Sequence, residues 1–192
     1  ATHIALIDAG ASYDLRRIDF ARQQQGSPAY LAINPKGRVP ALVTDRGVLT
    51  ETPAMLAFVA QSFPDKSLAP LGDPFAFAEL QSFNAYLCAT LHVAHAHRMR
   101  GYRWASEQAS FEDMQRMVPK SVGACFDLIE AGMRGSWAMG AAYTIADPYL
   151  FTLAQWLEAD GVDPARIPRV MAHRARMAEL PNVRRAIAEE LA

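Results

Sequence analysis

Cysteine is scarce in this chain: Cys88 and Cys125 are the only two in 192 residues, and both lie in helix-like sequence. They have none of the paired spacing of a zinc site. A disulfide between them and two buried free thiols both fit this spacing, and free thiols in a reducing cytoplasm are the favoured reading. Charge of one sign is also lacking. Lysine and arginine total 19 against 20 aspartate and glutamate, a formal net charge of −1, so no general attraction to nucleic acid or to an anionic membrane is expected. No apolar run reaches the roughly 18 residues that a membrane-spanning helix needs. Disorder is not expected, because 51% of the residues are hydrophobic and 20% charged, which suffices for a packed core.

Proline and glycine divide what is present. Residues 2–9 read as a helix stopped by Gly10. Residues 13–20, with Tyr13, Leu15, Ile18 and Phe20, read as a strand. Ser27-Pro28 is a cap followed by a first-turn proline, predicting a short helix from Pro28 to Ile33. Ala41–Thr44 and Val48–Glu51 read as two strands joined through Asp45-Arg46-Gly47, and Thr52-Pro53 opens a helix to about Phe63. From Pro64 to Pro74 the prolines and a glycine forbid a continuous element. Beyond it only helices are predicted: a long one over Phe75–Arg100, then 110–133, 145–159, 165–179 and 182–191. The chain therefore reads as a small α/β domain joined to an all-helical one, with boundaries at 1–64, 65–74 and 75–192.

Chemistry concentrates in Asn34-Pro35-Lys36-Gly37-Arg38-Val39-Pro40-Ala41-Leu42 and in Glu51-Thr52-Pro53. Val39-Pro40 is either an ordinary trans proline at a strand start or a cis bond that turns the N–H and C=O of Val39 outward, where an extended peptide could pair with both. Thr52 reads as an N-cap, worth about 1 kcal/mol over alanine. Its helix end carries roughly half a positive charge and unsatisfied amides, so it suits a carboxylate. Glu51, one residue earlier, could hold an ammonium group. The bland alternative is a plain cap beside a solvated glutamate.

Together these pieces resemble the glutathione-binding half of bacterial cytosolic glutathione S-transferases. The likeness continues in Tyr86-Leu87-Cys88-Ala89-Thr90-Leu91-His92, which is similar to the helix that carries a histidine near the active site in the beta-type class. It continues again in Thr144-Ile145-Ala146-Asp147, which is similar to the family's capping box, a folding feature in which the Thr144 hydroxyl takes the Asp147 amide and the Asp147 carboxylate returns to the Thr144 amide. The resemblance implies a thioredoxin-like domain followed by an all-helical one, glutathione as cosubstrate without a metal, and a hydrophobic electrophile lodged between the domains. It also implies a cytoplasmic homodimer with no nucleic-acid or membrane partner, serving detoxification. By position, Val39 would pair with the cysteinyl part of glutathione, Pro40 would be cis, Glu51 and Thr52 would hold the γ-glutamyl end, and Lys36 would meet the glycyl carboxylate or the thiol region. His92 would line the pocket beside the sulfur, with His95, Tyr102 and Trp104 as further pocket candidates. The alternative for the histidines is packing at a helix seam or at the surface.

The family places its thiol-activating tyrosine, serine or cysteine in a loop after a first strand, ahead of the first helix. Here Ala1-Thr2-His3-Ile4 already reads as that helix. A sheet without that central strand would leave buried backbone groups unpaired at about 1–3 kcal/mol each, in a domain whose whole stability is about 5–15 kcal/mol. The expectation is a further N-terminal segment that carries the main catalytic group. Other readings of the same scaffold are a non-catalytic transferase-like interaction module and a glutathione-dependent isomerase, dehalogenase or reductase. A plain thiol–disulfide oxidoreductase is disfavoured by the large helical half.

Overall fold

The computed structural model describes residues 1–191. Helix α1 covers Thr2–Ala9 and stops where Gly10 turns to φ 68°, with the Gly10 N–H on the Ile7 carbonyl and the Ala11 N–H on that of Leu6. This is the left-handed cap that glycine allows at no steric cost. Residues 11–19 then run without regular structure, which corrects the strand expected over 13–20. Its apolar residues share no buried face as a strand's would: Leu15 and Phe20 are exposed, while Tyr13 and Ile18 are half-buried. A strand exists only through a ladder with a neighbour, and this segment has none among the described residues.

The Ser27 hydroxyl accepts from the Tyr30 N–H and opens α2, Pro28–Leu31, shorter than expected. Strands β1, Ala41–Thr44, and β2, Gly47–Thr50, pair antiparallel with Ala41 opposite Thr50 and Thr44 opposite Gly47. The second strand starts and ends one residue earlier than predicted because Gly47 joins the ladder while Glu51 leaves it at φ 69°. Helix α3 is Thr52–Ser62, and α4, Pro74–Tyr86, is capped by the Asp73 carboxylate on the amides of Phe75 and Ala76. The long helix expected over Phe75–Arg100 continues from α4 through a π-helical segment, Leu87–Leu91, into α5, His92–Arg100. A 3₁₀ turn over Gly101–Arg103 leads on to α6, Gln108–Gly132; α7, Ala146–Ala154; α8, Pro168–Glu179; and α9, Pro181–Leu191.

The fold is a thioredoxin-like unit of helices around a small two-stranded sheet, then an all-helical unit. They share one core: Ala5 of α1 and Leu56, Val59 and Ala60 of α3 pack in the same buried cluster as Leu80, Leu91, Phe126, Ile145 and Leu150. Side chains such as Leu56 and Leu150, wholly removed from water, each contribute about 1.5–3 kcal/mol, so neither unit is independent of the seam.

Asp147, at the start of α7, ties together three segments of the helical unit. Its Oδ2 accepts the Thr144 N–H at 2.7 Å, and its Oδ1 accepts the Ala138 N–H at 2.7 Å and lies 2.9 Å from His173 Nε2. The returning half of the capping box is thus in place. The forward half differs from expectation: the Thr144 hydroxyl takes the Ala146 amide, while the Asp147 N–H goes to the Thr144 carbonyl. The backbone closes a tighter turn there than a capping box needs. The Ile145 N–H meets the Leu68 carbonyl at 2.9 Å, tying the linker to the same point.

Candidate functional site

The loop from Asn34 to Pro40 is held from beneath. The Tyr30 hydroxyl donates to the Arg38 carbonyl at 2.7 Å and the Asn34 side-chain amide donates to the same oxygen at 2.6 Å. Asn34 is buried, and its Oδ1 accepts the Lys36 N–H. Gly37 takes φ 60°, a left-handed turn that suits glycine. Nothing in the sequence marks Tyr30 for this role, whereas Asn34 opens the Asn-Pro-x-Gly turn signature. The loop ends in a cis Val39–Pro40 bond. Val39 is 39% exposed, and its N–H and C=O have no hydrogen-bond partner among the described residues. Those are the two groups an extended peptide ligand would use.

Thr52 is not the cap residue that the sequence suggested. It is already helical, and Glu51 occupies the cap position without a side-chain cap bond. Pro53 has no N–H, and the amides of Thr52 and Ala54 have no intrahelical acceptor at this end. A carboxylate arriving here would meet free donors and the positive end of α3. Glu51 carries φ 69° and ψ 116°, a conformation uncommon for a residue other than glycine. Its Oε1 lies 2.6 Å from Lys36 Nζ, which also donates to Thr50 Oγ1 at 2.9 Å. Lys36 therefore faces the glutamate.

In the helical half, α7 packs against α1, α4 and the π-helical segment. Burial pushes the Tyr149 phenol up, helped by the Cys88 thiol and by the charge of Glu51. Cys88 and Cys125 are both free. His92 packs edge-on against Trp156, with ring centroids 5.2 Å apart. Its pKa is pushed down to about 4, by burial first and then by His95, Arg100, Arg38 and Arg103. His92 is thus a neutral imidazole at neutral pH, close enough to Arg38 to feel its charge. His95 stacks on Trp156 at 4.1 Å and its Nδ1 lies 2.7 Å from the buried Asp160, which Arg98 also approaches at 3.2 Å. Its ring is engaged within the helical half. Tyr102 and Trp104 are exposed, and Trp104 meets His97 edge-on at 4.5 Å. No group of three or more metal-ligating side chains forms among the described residues. A cavity of about 530 Å³ lies elsewhere, lined by Phe83, Tyr86, Leu128 and Met139 of the helical half, and holds none of the site residues expected from sequence.

This geometry has known counterparts. The family model for the glutathione S-transferase N-terminal domain matches residues 1–61. Over 194 aligned residues the chain is 30% identical to glutathione S-transferase GstA of Escherichia coli O157:H7, covering 99% of this chain and 92% of that protein. The chain belongs to the glutathione S-transferase family. Family likeness extends to the backbone: a glutathione transferase homolog from Sulfitobacter, solved with bound glutathione, superposes with a TM-score of 0.95 at 44% identity, covering all of this chain and 92% of that one. Maleylpyruvate isomerase of Ralstonia sp. is a further relative, 27% identical over 95% of this chain and 88% of its own length. Among the described residues, no helix is long and apolar enough to cross a membrane.

Proposed function

We propose that the chain binds glutathione along Val39 and at the start of α3, and directs its thiolate to an electrophile held between the two units. The observation that carries this is the pairing of an outward-facing, unpartnered Val39 backbone with a helix end that has free amides and Glu51 beside it. A γ-glutamyl group presents a carboxylate and an ammonium on one carbon. The α3 amides with Thr52 suit the first and Glu51 the second. Lys36 guides the glycyl carboxylate or the thiol end, Pro40 shapes the loop, and His92 lines the space beside the sulfur. The sulfur forms a C–S bond, and the leaving group departs with its electron pair or, in an addition, the neighbouring carbon takes a proton.

The same reading takes 1–64 as the glutathione-binding domain, 65–74 as linker and 75–192 as the helical domain of a cytoplasmic homodimer. Support comes from the E. coli relative and from the Sulfitobacter homolog that holds glutathione. A second reading, glutathione-dependent isomerisation, is favoured by the relative named maleylpyruvate isomerase. Retention on glutathione-agarose together with conjugation of 1-chloro-2,4-dinitrobenzene is expected. Failure to be retained would overturn the glutathione reading, and retention without turnover would favour a binding module or a narrow-substrate enzyme.

A further inference from the structure

Asp8 sits in the last turn of α1, just before Gly10 stops that helix. It is bonded to two distant parts of the helical unit. Asn182, near the start of α9, donates its side-chain amide to Oδ1 at 2.9 Å, and the Tyr143 hydroxyl donates to Oδ2. Neither partner is a cation, and Asp8 has no ion pair with a side chain among the described residues. A carboxylate offers about four lone-pair sites, so two donors leave part of it open. Burial raises the Asp8 pKa, against the bonds from Tyr143 and Asn182 and together with the charge of Asp147. A charge this short of solvation gains from a counter-ion.

The carboxylate lines a cavity of about 350 Å³ with Trp137, Tyr143, Leu180, Pro181 and Asn182. The cavity lies where the end of α1, the segment joining α6 to α7, and the α8–α9 junction meet. It contains none of the residues assigned to glutathione above. Trp137 and Tyr143 stand edge to face, with ring centroids 5.1 Å apart and 87° between their planes, so they form two walls at right angles. The Arg176 guanidinium lies 5.5 Å from the Trp137 ring centre, but it donates to the Ser136 carbonyl and does not line the cavity.

Aromatic walls beside a carboxylate without a cation suit a positively charged ligand. Which cation follows from the acceptors at hand. A primary ammonium brings three donors, and beyond Asp8 the lining has few groups to take them. The Trp137 indole accepts none, Leu180 and Pro181 are apolar, and the Asn182 amide and Tyr143 hydroxyl already spend their donors on Asp8. A quaternary ammonium has no donors to satisfy. It needs negative potential and apolar contact, which the indole and phenol rings, Leu180 and Asp8 supply. We propose that this cavity binds a small quaternary ammonium compound, with its methylated head against Trp137 and Tyr143 and Asp8 as its counter-charge. The volume falls within the range of small-molecule sites, about 300–1,000 Å³. Such a head occurs both on free molecules and on choline lipids. Asp8, Trp137, Tyr143, Leu180 and Asn182 are all half-buried, a setting for the free molecule rather than for a membrane surface.

The test titrates the full chain with choline and, separately, with its neutral carbon isostere 3,3-dimethylbutan-1-ol, at matched sodium chloride. The indole N–H signals of the three tryptophans are followed by NMR. Choline is expected to move the Trp137 signal, to leave Trp104 and Trp156 in place, and to bind about tenfold more tightly than the isostere. Asp8→Asn keeps the residue's size and one oxygen acceptor, and it should bring the ratio of the two affinities to about two or below. Trp137→Leu, followed by calorimetry, should weaken choline about fivefold. The comparison of the two ligands on the unaltered protein holds whether or not a variant folds. Phosphatidylcholine vesicles form the third arm: no co-sedimentation is expected, and co-sedimentation that choline competes away would overturn the free molecule as the ligand. Equal binding of choline and its isostere, no response of Trp137, or an affinity unchanged in both variants would overturn the site itself. Retention on glutathione-agarose does not involve this cavity, so the glutathione reading stands or falls separately.

Discussion

Lys36 and Glu51 form an ion pair across the mouth of the hairpin, with 2.6 Å between Nζ and Oε1, at the point where the chain leaves β2 for α3. Both side chains are about half exposed, so the pair is worth no more than about 1 kcal/mol. It satisfies Glu51 in the absence of ligand and yields readily to a competing cation. In the proposed binding mode that cation is the α-ammonium of the γ-glutamyl group.

Glu51→Gln keeps the side chain's shape and removes its charge. Glutathione affinity should drop about tenfold, the typical strength of a charge-assisted hydrogen bond, with little change in melting temperature. Calorimetric titration checks this, and an unchanged Kd would release Glu51 from its assigned role.

His92 should make stability depend on pH. Its folded pKa, about 4, lies below the ordinary value near 6.5. The unfolded chain therefore takes up a proton that the folded chain refuses. Stability from this group is fully present above about pH 6.5 and is lost as pH falls toward 4. Urea midpoints measured at several pH values should decline over that window, and His92→Gln should flatten part of the decline. In proton NMR the His92 ring should titrate near pH 4, and a midpoint near 6.5 would contradict the buried, arginine-flanked setting.

Asp147→Ala would leave the Thr144 and Ala138 amides and His173 without their acceptor in a fully buried site. Removing one partner of a buried charged network costs about 3–5 kcal/mol, a large share of a typical total of about 5–15 kcal/mol. Denaturant titration should show a loss of that size, with Asp147→Asn intermediate. A loss below about 1 kcal/mol would mean the network is dispensable.

Gly135 lies against the turn in which Trp137 and Gly140 exchange backbone hydrogen bonds. A Cβ there would stand 2.3 Å from the Gly140 carbonyl oxygen, and backbone cannot swing away as a flexible side chain could. Gly135→Ala should destabilise by about 1–3 kcal/mol, read as a lower melting temperature.

Much of the fold was legible because its signals are local. Ser27-Pro28, the hairpin around Asp45 and the proline-rich linker act through the dihedrals and side-chain reach of a few neighbouring residues. The same holds for the bond from the Thr144 amide to Asp147, three residues apart. The segment over 13–20 failed as a strand because alternation describes only one side of a ladder. Thr52 lost the cap position to Glu51 because the chain direction at that point follows from where β2 ends. His95 could be read as a pocket residue until Asp160 was placed against it, and those two are 65 residues apart.

By itself, then, the amino-acid sequence determined the order of elements from α2 onward, the turn chemistry of the Asn34–Pro40 segment, the start of a helix at Thr52-Pro53, and the family likeness they carry. Each of those rests on interactions within a few residues. Only the tertiary structure decided that Lys36 meets Glu51, that His95 is held by Asp160, and that His92 is packed against Trp156, where burial lowers its pKa. Charge and burial depend on what packs across the seam, and a single chain position does not contain that information.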